Sequence, residues 1–470
     1  MISKTFHLVS LGCAKNTVDS ESMGQLMVNS GYRFEMDQAQ AEVLIVNTCG
    51  FIGPAKKESI QVLGELASIK NENQILIAAG CLTQRYGAEV VREVPGIDGI
   101  LGTRRWMDIV DVVRKIRNKK HPEPLYHLPE ASEVGKDERG TLRAAIQGAS
   151  AYIKIADGCR RPCAFCAIPL IKGSAVSRPK STILKEALYL QSSGVRELIL
   201  IAQDTTDYGH DLGYRDGLAQ LLSEMVVALD NSLSDDETQG GVDWIRIMYA
   251  YPGYVTDRLI EVMATHPKII PYLDIPLQHA HPDVLRRMRR PANVDWVHRT
   301  LEKMRTAIPD LTIRTTFIVG YPGETEHEFQ TLLDFLEEIR FDRVGAFEFS
   351  FEPGTTSEPL GDPVPAEIKR DRWERLMTLQ QGISLEKNQA FIGRRLDALV
   401  EGHGDGISLA RSYRDAPEID GLVIVEGEIP VGSFIPVHIT GAMAYDLSGV
   451  VVKDQADVTL DEVEILEREK

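Results

Sequence analysis

The sequence has few cysteines, no long apolar run and no surplus of basic residues. Six cysteines in 470 residues are too sparse for the disulfide framework that holds small secreted domains together. No stretch reaches the 18 or so consecutive apolar residues of a membrane-spanning helix, so no membrane role is expected. Lys and Arg number 52 against 69 Asp and Glu, a formal net charge of −17. A chain this acidic carries no general phosphate-binding surface, because affinity for nucleic acid rests on Lys and Arg neutralising phosphates. The same balance suits a basic partner, or simply keeps a protein soluble, and composition alone does not separate the two. The opening MISKTFHLVSLGC has Lys4 and His7 inside its apolar part, which makes it a first strand rather than a secretion signal. A cytoplasmic, reducing location is expected, where grouped thiols serve as metal ligands more often than as bridges.

What is present is enough chain for about three domains. At 43% hydrophobic and 26% charged residues it is globular rather than disordered. The first hundred residues repeat one pattern three times. Apolar runs at 6–11, 43–46 and 74–79 each end in a small-residue turn holding a cysteine, Cys13, Cys49 and Cys81, and a helical stretch follows. Such runs predict βαβ units on a buried parallel sheet. Since parallel strands point one way, the three cysteines share one sheet edge, where open α/β sheets bind ligands.

Residues 118–140, rich in Pro and charge, read as a linker or surface ribbon. Six strand candidates follow at 151–156, 197–202, 244–248, 272–275, 312–319 and 344–350, separated by helical patterns, which predicts an α/β barrel or partial barrel with its chemistry at the strand C-terminal ends. The acidic stretch 230–241 reads as a solvated loop. A long helix over 366–391 leads to five short alternating segments, at 396–400, 407–413, 422–426, 434–440 and 444–452, which predict a small five-stranded antiparallel barrel. The expected fold class is therefore α/β. Its parts are an N-terminal parallel α/β domain (1–125), a linker (126–144), a (βα)6 partial barrel (145–390) and a C-terminal β-barrel (394–465). Residues 391–470 hold 7 Lys and Arg against 16 Asp and Glu, so over half of the net charge lies in the last sixth of the chain.

Cys159, Cys163 and Cys166, in GCRRPCAFC, follow the first strand of the partial barrel. Three thiolates leave a closed structural zinc site, which takes four ligands, incomplete, but fit a cubane iron-sulfur cluster with one open iron. Zinc stays the alternative at this point. For Cys13, Cys49 and Cys81 the alternative is three buried unpaired thiols in a sheet core. Each has a glycine beside it, which lets the backbone come close to a bulky ligand.

CxxxCxxC after the first strand of a six-fold βα repeat resembles the radical S-adenosylmethionine superfamily. SLGCAKNTVDSE around Cys13, NTCGFIGPAKKES around Cys49 and AAGCLTQRY around Cys81 add the signature of its methylthiotransferases, and the terminal barrel is similar to a TRAM domain. GCAKNTVDSE, QDTTDYG at 203–209 and DAPEIDG at 415–421 resemble the ribosomal-protein aspartate branch. The resemblance implies two 4Fe-4S clusters, one on Cys159, Cys163 and Cys166 that binds and cleaves S-adenosylmethionine, and one on Cys13, Cys49 and Cys81 that presents sulfur. It implies an external electron donor and, as substrate, an aspartate β-carbon of the twelfth small-subunit ribosomal protein. That basic protein would dock on the acidic TRAM-like domain, and the charge argues against nucleic acid as substrate. The other readings are methylthiolation of tRNA adenosine and a non-catalytic iron-sulfur scaffold.

Cofactor contacts implied by the same resemblance are Phe165, Gln203, Asp204, Thr205, Gly320 and Glu324. TFIVGYPGE at 316–324 departs from the superfamily's glycine motif, with Thr316 where the first glycine is usual and the acid one residue late at Glu324. No Gly-Gly-Glu follows the second strand, where Gln203, Asp204 and Thr205 stand instead, so the group that meets the methionine amino nitrogen is left open. Asp274 and Gln278 lie at a later strand end. His279 and His281 sit in a Pro-flanked turn with no acidic partner set by spacing, and RRMRR at 286–290 reads as a solvated helix face.

Overall fold

The computed structural model describes residues 4–118, 123–135, 140–232 and 241–452. Its N-terminal sheet has six parallel strands in the order Arg33–Phe34, Thr5–Ser10, Val43–Thr48, Ile75–Gly80, Gly99–Gly102 and Leu125–His127. Helices cover both faces, which is why Val43–Thr48 is buried at every position. Ile45 packs with Met23 and Trp106 on one face, Leu44 and Val46 with Leu63 and Val90 on the other. The stretch read as a ribbon carries the sixth strand, Leu125–His127, and Glu133 forms a β-bridge to Gly173.

The central sheet runs, in order, Arg343–Glu348, Thr312–Val319, Ile269–Asp274, Trp244–Ile247, Glu197–Ile201 and Ser150–Lys154, all parallel, with Ala144–Gln147 added antiparallel at the edge. Each parallel neighbour pair is joined through a helix, so the sheet is an open partial barrel. Its outward side chains, Leu198, Leu200, Ile245, Ile247 and Ile313 among them, form the large core with those helices. Tyr152, Ile199, Trp244 and Tyr272 point the other way. They meet Val18 of the first N-terminal helix, Ala14–Asn29, and Leu399 and Ala416 of the C-terminal barrel. The inner face of the sheet is thus where the three parts of the chain come together.

The helix Ala366–Gln389 lies along the last central strand, with Trp373 Nε1 donating to the Ala346 carbonyl at 2.9 Å, and delivers the chain to a closed five-stranded barrel. Its order is Arg395–Gly404, Ile407–Ser412, Val423–Glu426, Leu447–Val451, Phe434–Ala442. Four of its pairings are antiparallel as expected, while Val423–Glu426 and Leu447–Val451 run parallel. The chain crosses one barrel end after Glu426 to pair with the first strand, so the returning hairpin closes the barrel in the same direction. Residues 233–240 of the acidic stretch, and 453–465 of the expected terminal domain, lie outside the described residues. Among the described residues no helix is long and apolar enough to cross a membrane.

Candidate functional site

The first cysteine set is built by a turn that glycine permits. Gly158 has φ +76, and a Cβ there would fall 2.0 Å from the Ser174 carbonyl oxygen, so the chain leaving the first central strand can press against 173–174. The Cys159 amide donates to the Gly173 carbonyl at 3.0 Å and the Cys166 amide to the Cys163 carbonyl at 3.1 Å. Cys159, Cys163 and Cys166 then line one cavity of about 450 Å³. The Tyr251 hydroxyl lies 3.7 Å from the Cys163 sulfur and Arg290 Nη1 3.6 Å from it. Burial, reinforced by the neighbouring thiolates, pushes the Cys159 thiol up to about 11 and Cys166 up to about 12. Thiols so reluctant to ionise are released from their protons by a strongly charged metal centre.

The second set sits at the ends of three adjacent parallel strands. Cys13 caps the helix Ala14–Asn29, Cys49 follows Val43–Thr48 directly, and Cys81 opens the helix Cys81–Glu93. The glycines beside them were expected to make room for a ligand, but they make room for one another's turns. A Cβ on Gly12 (φ +95) would lie 2.8 Å from Cys49 Cβ, on Gly80 (φ +104) 2.4 Å from Asn47 Oδ1, and on Gly50 2.5 Å from Leu82 Cα. Asn16 and Asn47 lock the same turns, each side-chain amide donating to the other's carbonyl at 3.0 Å. Burial raises Cys49 and takes Cys81 up to about 12. For Cys13 desolvation also opposes ionisation, yet the Lys15 ammonium, the Asn16 amide and Lys172 outweigh it and bring the thiol below its ordinary value.

The donor sets discriminate between metals. A single zinc with Zn–S near 2.3 Å holds its sulfurs within about 4.6 Å of each other. Among the described residues the triplet whose ligand atoms all come within 4.8 Å is His281, Asp283 and Glu328, and neither cysteine trio meets that spacing. Sulfurs set wider than one ion can span fit a larger cluster. The histidine triplet supplies the acidic partners that spacing did not reveal, but they are engaged: Arg287 pairs with Glu328 at 2.9 and 3.0 Å and Arg286 with Asp283. His279 is buried, which takes its pKa down to about 3.

The two trios share a wall. The helix Ile168–Lys172, which begins two residues after Cys166, packs on the helix opened by Cys81, and Arg104 of the N-terminal domain donates to the Ile171 carbonyl at 2.9 Å. Lys172 Nζ bonds Asp19 Oδ2 and Asp157 Oδ1, both at 2.9 Å. Lys154 and Arg143 bind the same two carboxylates. Burial disfavours the Asp19 charge, but Lys154, Lys172 and Arg143 hold its carboxyl far below the usual range.

Of the other expected contacts, Gln203 has a buried Oε1 with no partner among the described residues. Asp204 accepts from Arg161 Nε and Thr206 Oγ1, each at 2.5 Å, and the Arg161 guanidinium stacks over Tyr254 at 3.5 Å. Thr205 is taken up by the Tyr249 and Met248 carbonyls. Phe165 packs against the cluster of Val284, Met288, Tyr321 and Phe349. Gly320 (φ +70) admits the stem of Lys369, 2.4 Å from where its Cβ would stand. Glu324, raised to about 7 by burial, accepts from the Tyr321 amide and Arg372, both at 3.1 Å. Asp274 is bound by Arg314 and the Tyr249 amide, and Gln278 takes φ 77 in a bridge to Phe317. The reading of RRMRR as a solvated face fails at two positions. Arg290 is buried against Cys163 and Arg287 pairs with Glu328, because the end of the short helix Pro282–Arg287 meets the cysteine loop, the Ala164 amide donating to the Met288 carbonyl at 2.8 Å and Phe165 packing on Val284 and Met288. Tyr251 and Lys172 carry no sequence signal, since neither stands at a signalling distance from a cysteine, and Arg290 enters the sequence reading only as part of RRMRR. Arg161, inside GCRRPC, was the one within reach.

Three family models match the chain: Uncharacterized protein family UPF0004 over residues 5–102, the Radical SAM superfamily over 153–336 and the TRAM domain over 392–452. A relative from Chloroflexus aurantiacus, Ribosomal protein uS12 methylthiotransferase RimO, is 47% identical over 460 residues, covering 94% of this chain and 99% of that one. Its namesake from a Roseiflexus species is 44% identical over 473 residues, covering 96% and 98%. Among solved structures, the radical S-adenosylmethionine methyltransferase TsrM from Kitasatospora setae superposes with a TM-score of 0.54 at 12% identity, over 87% of this chain and 80% of that one, a likeness of fold.

Proposed function

As the chain belongs to the ribosomal protein uS12 methylthiotransferase RimO family of radical S-adenosylmethionine enzymes, we propose that it replaces a hydrogen on an aspartate β-carbon of uS12 with a methylthio group, in the cytoplasm. Two 4Fe-4S clusters would serve it, one on Cys159, Cys163 and Cys166, the other on Cys13, Cys49 and Cys81. The observation that carries this reading is the shared wall: the helix leaving the first trio packs on the helix that opens at Cys81, so that two three-thiol sites adjoin. A β-carbon hydrogen is too weakly acidic for a side-chain base at neutral pH. The first cluster, when bound, supplies the electron that cleaves S-adenosylmethionine, chemistry that belongs to a cofactor.

The chain positions and shields. Tyr251 and Arg290 cover the Cys163 sulfur. Gln203, with its free acceptor, is suited to the methionine ammonium group, while Asp204 and Thr205 hold the loop that carries it. Phe165, Gly320 and Glu324 line the neighbouring strand ends as the proposed adenosine side. The domain limits 1–125, 126–144, 145–390 and 394–465 belong to the same reading, as do an external electron donor and docking of uS12 on the terminal barrel. Supporting the last, Asp397, Glu401, Asp405, Glu418, Glu426 and Glu428 are exposed there against Arg394 and Arg395.

Anaerobic reconstitution tests the reading. About eight irons per chain and deoxyadenosine from reduced enzyme are expected, with the mass gain of a methylthio group on uS12 when uS12 and tRNA are offered together. A gain on tRNA alone would overturn the substrate, and iron without deoxyadenosine would leave a scaffold. Cys163→Ala should abolish cofactor cleavage, whereas Cys49→Ala should keep it and lose sulfur insertion. Equal loss of cleavage in both would sink the division of roles.

A further inference from the structure

A cavity of about 240 Å³ on the inner face of the central sheet is lined by all three parts of the chain. The N-terminal domain contributes Cys13, the exposed member of its trio, the central sheet Tyr152 and Tyr249, and the terminal barrel Glu418 and Ile419. Its volume is below the roughly 300–1,000 Å³ of pockets that enclose whole small molecules, which suits a single side chain. Tyr249 and Glu418 both hold left-handed backbones, φ 62 and 67, a conformation uncommon outside glycine that gathers where structure is committed to a site.

Two opposite charges flank this space. The Lys15 ammonium lies 3.2 Å from the centroid of the Tyr249 ring, and an aromatic face leaves most of an ammonium's three donors unused. On the far wall Glu418 is exposed and accepts from Gln147 Nε2 at 3.0 Å. We propose that the cavity receives the side chain of the modified aspartate, whose carboxylate pairs with Lys15, while Glu418 meets a basic residue flanking that aspartate in the substrate. Held by its carboxylate, the residue presents the adjoining β-carbon to the wall that carries Cys13. This inference rests on the function proposed above and adds the residue that reads the target.

The test is a binding cycle with the full-length chain free of clusters. Its Kd for purified uS12 is measured for wild type and Lys15→Met, against uS12 with its target aspartate intact or replaced by asparagine. Each single change should weaken binding roughly 10- to 100-fold, the range of a charge-assisted hydrogen bond, and the pair should cost no more than either alone. Lys15→Arg, which keeps the charge, should stay within a few-fold of wild type, as should Glu337→Gln on the exposed outer surface of the central domain. Additive losses beside intact wild-type binding, or an arginine variant as weak as the methionine one, would overturn the inference alone. A wild-type chain that does not bind uS12 would overturn the proposed function together with it.

Discussion

Gly12 carries more of the Cys13, Cys49 and Cys81 arrangement than its size suggests. Its φ of +95 is open to glycine and strained for alanine, and a Cβ would stand 2.8 Å from Cys49 Cβ and 3.0 Å from its sulfur. Gly12→Ala is expected to displace Cys49 while leaving the Cys159 trio, in another domain, alone. Reconstituted iron should fall from about eight to about four per chain, with deoxyadenosine formation retained, and an unchanged iron content in elemental analysis would refute this. All six cysteines were legible because each sits at a fixed offset from a strand end. Lys172 was not, and Arg290 read as part of a solvated face, since what brings them to a carboxylate or a sulfur is the packing of short helices whose partners lie elsewhere in the chain.

Between elements, one carboxylate joins two domains. Glu197 begins its strand, Arg246 stands in the parallel neighbour, and Arg411 reaches over from the barrel strand Ile407–Ser412, so Glu197 accepts from Arg246 Nε at 2.7 Å and Arg411 Nη2 at 2.5 Å. Burial opposes its charge, yet the two guanidiniums prevail and bring its pKa down to about 2 from 4.5. A carboxylate whose folded pKa is depressed stabilises the fold fully above about 4.5 and ceases to as pH falls toward about 2. Removing one member of such a buried set costs about 3–5 kcal/mol. Glu197→Gln should therefore lower denaturant resistance at pH 7 by that amount and flatten the loss of stability between those two pH values. Parallel stability-against-pH curves for variant and wild type would count against it. Three strands of the N-terminal sheet and six of the central sheet followed from apolar runs and glycine punctuation. Arg33–Phe34, Gly99–Gly102, Leu125–His127 and Ala144–Gln147 did not, because two to four residues carry no period, and it is pairing with a neighbouring strand that recruits them.

Over the whole molecule, charge divides by depth. Asp415 and Asp420 of the terminal barrel are drawn inward by Arg343 and Arg314 of the central sheet, and what remains exposed on the barrel is mostly acidic. If that surface attracts basic uS12, raising ionic strength from about 0.05 to about 0.5 M, which shortens the Debye length several-fold, should raise KM for uS12 with little change in kcat. A KM indifferent to salt would remove the electrostatic docking. The sequence by itself determined the three-part architecture, the two cysteine trios and the family, because periodicity and fixed spacings are local properties that survive without coordinates. Only the tertiary structure decided that the trios share a wall, that glycines serve turn against turn, and that Tyr249, with Lys15 over its ring, and Glu418 line one small cavity. Those facts depend on side chains hundreds of residues apart meeting on the inner face of the central sheet, and no local pattern encodes such a meeting.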